Sequence, residues 1–160
     1  MSAKWLESIV DPDLLKQTSE RISKEILKHD DIEVIISIGV SGLLCGAISY
    51  ITNMPLYVVR KSSRNTHSAC LIETNKDMDD IAKSRDVVIA MVDDFVSTGS
   101  TVAMVNSRIN SFNRNFKTRY ELKYLFVYGC KHELGYHKGY YQNNIPESVQ
   151  VIPAGKKCYL

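Results

Sequence analysis

The sequence predicts an α/β domain: a doubly wound, mostly parallel sheet with helices on both faces and a small hood contributed by the chain's ends. Three observations predict it. Several short runs, Ile32–Ile38 and Val87–Val92 among them, are β-branched and apolar throughout rather than alternating, as strands covered on both faces are. Segments with apolar residues at helical spacing lie between these runs, and alternation of strand and helix implies parallel strands joined by right-handed crossovers. Finally, the runs end in turns of glycine and small hydroxylated residues. The 160 residues suit one domain, 1–160, with one substantial core.

The elements follow in order. Asp11-Pro12-Asp13 opens a helix, with Asp11 as N-cap and Pro12 at the first helical position; Leu15, Ile22 and Ile26 continue it to about residue 28. Ile32–Ile38 is the first strand, Gly39-Val40-Ser41-Gly42 the turn after it, and Leu43–Ile51 a second helix. Asn53-Met54-Pro55 breaks that helix before a strand at Leu56–Val59. A polar stretch from Arg60-Lys61 to about Arg85 is expected to be the longest weakly structured part. Val87–Val92 is a third strand, Thr101–Phe112 a helix and Leu122–Tyr128 a fourth strand. Beyond Gly129 the chain turns polar and aromatic, with a turn at Asn143-Asn144 and a short last strand near Val149–Ile152.

Composition narrows the function classes. Hydrophobic residues at 44%, charged residues at 24% and a net charge of +2 are ordinary for a soluble domain and give no electrostatic reason to expect nucleic acid. Four cysteines, Cys45, Cys70, Cys130 and Cys158, form no CxxC pair, which argues against a zinc site and a disulfide framework and for reduced thiols. No basic segment precedes a long apolar one at the N-terminus and no stretch reads as a membrane span, so the expected compartment is the cytoplasm.

In an open α/β sheet, ligands sit beyond the carboxyl ends of the strands. The third strand ends in Asp93-Asp94, followed by Phe95-Val96-Ser97-Thr98-Gly99-Ser100-Thr101 and a helix. Small hydroxylated residues around a glycine let backbone N–H groups and hydroxyls converge on an anion, and the positive end of the helix dipole favours a phosphate there. Two carboxylates touching that phosphate would repel it. They fit better as acceptors from neighbouring hydroxyls or as the surroundings of a hydrated Mg²⁺, and a ribose bearing a 5-phosphate supplies both kinds of partner. Taken singly, each residue is equally consistent with helix capping or a solvated loop.

The segment VVIAMVDDFVSTGST, Val87–Thr101, resembles the signature of the type I phosphoribosyltransferases: an apolar run, two acids, two mostly apolar residues and a Ser/Thr-Gly-x-Thr loop. Rival phosphate motifs fail, since no Walker GKS or GKT occurs and Gly39, Gly42 and Gly46 lack dinucleotide spacing. The resemblance implies an enzyme that moves ribose 5-phosphate from phosphoribosyl pyrophosphate to a nucleobase nitrogen, with Mg²⁺ as cofactor held through the donor and water. Asp93 and Asp94 would serve the ribose hydroxyls and the chemistry, while Val96, Ser97, Thr98, Gly99, Ser100 and Thr101 would wrap the 5-phosphate.

By the same resemblance Val40, Ser41 and Gly42 would form the pyrophosphate loop, with Val40–Ser41 where relatives often carry a cis peptide. A plain glycine-permitted turn is the alternative. The family's usual basic residue is missing if Ser41 takes its place. Arg60 and Lys61 would lead into a mobile loop, Ser62 to about Asp80, that closes over the site, with Arg64 and His67 meeting the pyrophosphate. Lys131 and Ile152 are the candidate base contacts, a purine-type acceptor is slightly favoured, and the aromatic stretch Tyr128–Tyr141 offers stacking surfaces or a packed hood. His29, His132 and His137 read as structural. A homodimer is the default assembly. The competing reading is a non-catalytic regulator of the same fold that senses the phosphoribosyl donor or nucleotides; it calls for a basic surface or an added nucleic-acid-binding segment, and the sequence displays neither.

Overall fold

The computed structural model describes residues 10–60, 71–94, 96, 98–128 and 144–154. Helix α1, Pro12–Ile26, begins where Asp11 Oδ1 accepts from the Leu14 amide at 2.9 Å. Strand β1, Ile32–Ile38, follows, then α2, Ser41–Thr52, and β2, Leu56–Val59. A short β3, Ile72–Glu73, precedes α3, Lys76–Ser84, and β4, Val87–Asp93. Helix α4, Ser100–Phe116, leads to β5, Tyr120–Val127, and the chain closes on β6, Gln150–Pro153.

The strands form one sheet in the order β3-β2-β1-β4-β5-β6. All neighbours are parallel except β3, which runs antiparallel to β2 at the edge. Helices cover both faces. Ala82 of α3 and Val102, Val105 and Ile109 of α4 pack with Val34, Ile36 and Ile89 on one side. Ile22, Ile26, Leu44 and Ile48 of α1 and α2 pack with Ile35, Ala90 and Phe126 on the other. This is the doubly wound arrangement read from the apolar runs. Cys45 lies in the second core, where burial pushes its thiol up to about 12 and leaves it an inert packing group. Among the described residues, no helix is long and apolar enough to cross a membrane.

Within the polar stretch beyond Arg60, sequence and structure diverge. Residues 72–84 are not weakly structured: they supply β3 and α3. The helix is local in origin, since Asn75 Oδ1 accepts from the Asp77 and Met78 amides and Met78, Ile81 and Ala82 present one apolar stripe to the core. A closing loop therefore cannot run as far as Asp80. Tertiary hydrogen bonds pin α3 in place: Tyr120 Oη donates to Asp79 Oδ1 at 2.7 Å, so the 2.6 Å contact between the Tyr57 and Tyr120 hydroxyls has Tyr57 as donor. Thr74 Oγ1 donates to the other Asp79 oxygen at 2.7 Å. Asp79→Ala strands these donors in a half-buried place. It is expected to destabilise the fold by about 1–3 kcal/mol in a denaturant melt, with ligand binding at the far end of the sheet unchanged.

The last strand is one residue later than the sequence suggests and pairs parallel to β5. The Arg21 guanidinium of α1 holds its end by donating to the Ala154 carbonyl at 2.8 Å.

Candidate functional site

From β1 the chain steps outward to β2, whereas from β4 it steps outward to β5 in the opposite direction. The carboxyl ends of β1 and β4 are therefore the switch point, where the connections part and leave a crevice. Two helices start at its rim, α2 after β1 and α4 after β4. Neither N-cap residue supplies a side-chain cap and neither first turn holds an acid, so the positive dipole ends of both face the rim without a local negative charge.

At the end of β4, Asp93 is almost fully buried. Its Oδ1 accepts from Ser41 Oγ at 3.0 Å and from the Asp94 amide at 3.0 Å. Burial first, then the side chain and charge of Asp94, push the Asp93 carboxyl up to about 7, against the opposing pull of the Ser41 hydroxyl. The Ser41 bond joins two segments far apart in sequence, the candidate pyrophosphate loop and the acidic pair. Asp93 also lines a cleft of about 160 Å³ with Val96, Thr98, Gly99, Ser100, Thr101 and Val102. Within it Thr98 Oγ1 donates to Ser100 Oγ at 3.0 Å and accepts from the Ser100 amide at 3.3 Å. Asp93 and the described residues of the hydroxyl loop thus share one concavity.

Gly99 makes the turn into α4 at φ +75°, a region only glycine adopts without strain. A Cβ there would lie 2.9 Å from Ile145 Cγ1 and 3.3 Å from the Ile145 nitrogen. Asn144 Nδ2 donates to the Thr98 carbonyl at 2.7 Å, so the 144–145 segment braces the Thr98–Gly99 turn that lines the cup. The sequence marks Asn144 only as a turn; nothing local signals a bond across 46 positions.

At the end of β1, Gly39 takes φ +66° and Val40 is already helical. The described residues contain no cis peptide, so Val40–Ser41 is trans, contrary to what the resemblance suggests. The reversal that a cis bond would supply is made by the positive φ of Gly39, and the Gly42 amide closes the turn on the Gly39 carbonyl at 3.2 Å. The Ser41 side chain is buried against Asp93, whereas Val40 points outward.

Other expected contacts are dispersed. Arg60 forms an ion pair with Glu73 at 2.9 Å across the β2–β3 edge. Ile152 packs against the α1–α2 core. Lys61, Arg64, His67, Ser97 and Lys131 lie outside the described residues. Tyr128, noted in the sequence only as the start of an aromatic stretch, is buried at the end of β5, its amide donating to the Asp93 carbonyl at 3.1 Å. Its hydroxyl makes no close hydrogen bond among the described residues, and burial, with the nearby charges of Asp94 and Asp93 adding, raises its phenol against the opposing pull of the Ser41 hydroxyl.

No three His, Cys, Asp or Glu side chains cluster as a metal cage among the described residues. The acidic pair alone fits a divalent cation whose remaining positions are filled by ligand oxygens and water.

No family profile matches the chain, and no curated protein matches it in sequence. Solved structures do match in fold. UMP synthase from Leishmania donovani superposes with a TM-score of 0.62 at 17% identity, over 94% of this chain and 29% of that one. The adenine phosphoribosyltransferase of Saccharomyces cerevisiae gives 0.57 at 18% identity, over 90% and 80%. A Neisseria gonorrhoeae protein with bound ppGpp gives 0.58 at 12% identity, over 91% and 81%. The chain thus spans under a third of the UMP synthase it matches. The fold is that of the type I phosphoribosyltransferases.

Proposed function

We propose that the chain binds phosphoribosyl pyrophosphate in the β1–β4 crevice and transfers its ribose 5-phosphate group to a nucleobase nitrogen, with a purine-type acceptor favoured over a pyrimidine. The observation that carries this reading is the Ser41–Asp93 hydrogen bond, which ties a phosphate cup, an acidic pair and a second helix N-terminus into one crevice. The 5-phosphate sits in the cup of Val96 to Thr101 on the α4 dipole. Asp93 and Asp94 accept from the ribose 2- and 3-hydroxyls. The diphosphate meets the Val40–Gly42 turn at the head of α2, where the positive end of the helix dipole takes the place of the missing basic side chain.

The bond from the anomeric carbon to the diphosphate oxygen breaks with its electron pair leaving on pyrophosphate. The base nitrogen attacks the opposite face and gives up its proton. The intervening state carries positive charge on the sugar, so the protein's share is to align the two groups and to place carboxylates near that charge. Mg²⁺, held by donor oxygens and water beside Asp93 and Asp94, would neutralise the leaving diphosphate.

The test is a panel of adenine, hypoxanthine, guanine, xanthine, uracil, orotate and nicotinate with donor and Mg²⁺, followed by pyrophosphate release. Release with one base or a small group of related bases is expected. Donor binding without release for any base would replace the enzyme by a sensor, a reading for which the ppGpp-bound neighbour of the same fold is the one specific support. Within the first reading, Ser41→Ala removes a donor from the carboxylate that orients the ribose. Calorimetric donor affinity is expected to fall about tenfold.

A further inference from the structure

Tyr128 carries a hydroxyl that its packing does not ask for. The residue follows β5 directly, is 5% exposed, and lies in the second core with Leu44 and Cys45. A phenylalanine ring would fill the same space. The hydroxyl oxygen is buried and makes no close hydrogen bond among the described residues. A buried hydroxyl without a bond costs stability, so one kept in this position calls for a partner in another state of the protein. Its surroundings point to that state. The Tyr128 amide donates to the Asp93 carbonyl at 3.1 Å. Besides burial, the groups that act on its phenol are the Ser41 hydroxyl, the Asp94 and Asp93 carboxylates and the Cys45 thiol. The Tyr128 hydroxyl thus stands beside the Ser41–Asp93 bond.

That bond engages the one side-chain donor at the head of α2. Val40, Gly42 and Leu43 have none, and the Gly42 and Leu43 amides are taken by the Gly39 and Val40 carbonyls at 3.2 and 3.1 Å. An anion that arrives at this helix end has only the Ser41 hydroxyl to turn to for a side-chain donor, and a hydroxyl has one proton. Ser41 can give it to Asp93 or to the anion, not to both. When Ser41 turns away, the buried Asp93 carboxyl keeps only one of the two donors on its Oδ1, the Asp94 amide at 3.0 Å. A buried carboxylate short of a donor is unfavourable. The hydroxyl at hand that no close bond engages is that of Tyr128.

We propose that Tyr128 is a positioning residue of the crevice: when a diphosphate draws the Ser41 proton, the Tyr128 hydroxyl takes the place of Ser41 on the Asp93 carboxyl. The inference rests on the functional reading above, since it needs a diphosphate at the head of α2. The exchange changes hydrogen-bond partners only; no covalent bond forms or breaks. It is tested by titration calorimetry of phosphoribosyl pyrophosphate and of ribose 5-phosphate, each with Mg²⁺, against wild type, Tyr128→Phe, Ser41→Ala and the double variant. Wild-type binding of phosphoribosyl pyrophosphate belongs to the functional reading, and its absence would sink that reading and the exchange together. Tyr128→Phe loses no bond in the free protein and is expected to melt no lower than wild type, yet to bind phosphoribosyl pyrophosphate about tenfold more weakly. Ribose 5-phosphate has no diphosphate to draw Ser41, so its affinity is expected to change by less than about twofold. In the Ser41→Ala background there is no proton to exchange, and adding Tyr128→Phe is expected to change the affinity for phosphoribosyl pyrophosphate by less than about twofold. Three results would overturn the exchange while leaving the functional reading in place: wild-type affinity in Tyr128→Phe, a lower melting temperature with both ligands weakened alike, or the full tenfold loss added on top of Ser41→Ala.

Discussion

In the Asp93→Asn, Asp94→Asn double variant, pyrophosphate release is expected to fall by at least about a hundredfold, because both acceptors for the ribose hydroxyls and both charges facing the developing cation are gone. Wild-type rates in this variant would remove the ribose assignment. The single variant Asp93→Asn separates function from folding. Burial and the neighbouring Asp94 raise the folded-state carboxyl to about 7, above the ordinary value of 3.8. Between roughly pH 4 and 7 the unfolded chain has lost this proton while the folded chain retains it. Stability from this group is therefore greatest at acid pH, declines as pH rises through that window and levels off above it. Asparagine carries no charge to bury and escapes the decline. Asp93→Asn should be more stable than wild type at pH 8, by on the order of a few kcal/mol, and nearly equal to it at pH 4. Thermal melts at the two pH values measure the difference. Equal melting at pH 8 would mean that Asp93 costs nothing to hold ionised and is not kept at the fold's expense.

The second large effect is expected at Gly99. Gly99→Val places a β-branched residue at φ +75° and drives a Cβ to 2.9 Å from Ile145 Cγ1 and 3.3 Å from the Ile145 backbone nitrogen. Left-handed strain of about 1–2 kcal/mol and overpacking of about 1–3 kcal/mol together imply a loss of roughly 2–4 kcal/mol. For a chain of this size that is a melting temperature lower by roughly 5–15 °C. The Asn144 bond to the Thr98 carbonyl would open with the displaced 144–145 segment. Donor binding should disappear even at temperatures where the variant is folded, as titration calorimetry below the melt will show. A variant that melts lower yet binds donor normally would separate the 144–145 brace from the phosphate site.

The sequence placed most of the fold because its central strands, β1 and β4, are buried on both sides. Ile32–Ile38 and Leu56–Val59 were legible to the residue, since a run apolar on both faces has no other stable position. Residues 72–84 were not read, although Asn75 and the Met78–Ile81–Ala82 spacing are ordinary helix signals. Five acidic and basic side chains among nine residues made the segment look like loop, and what fixes it, the Tyr57–Tyr120–Asp79 network, joins residues up to 63 positions apart.

The site divides along the same line. By itself the sequence determined the cup: the acids at 93 and 94, the hydroxyls around Gly99 and the helix behind them are contiguous, so their chemistry is written in one string. Only the tertiary structure decided what that string meets. It brought Ser41 to Asp93 across 52 positions, set Asn144 and Ile145 against Gly99, and buried Tyr128 beside the acids. It also settled the turn after β1, left open in the sequence, as a trans Val40–Ser41 bond with a positive φ at Gly39. The physical reason is that a backbone run carries its own dihedral and burial preferences, whereas a hydrogen bond between distant side chains exists only once the sheet order has placed β1 beside β4.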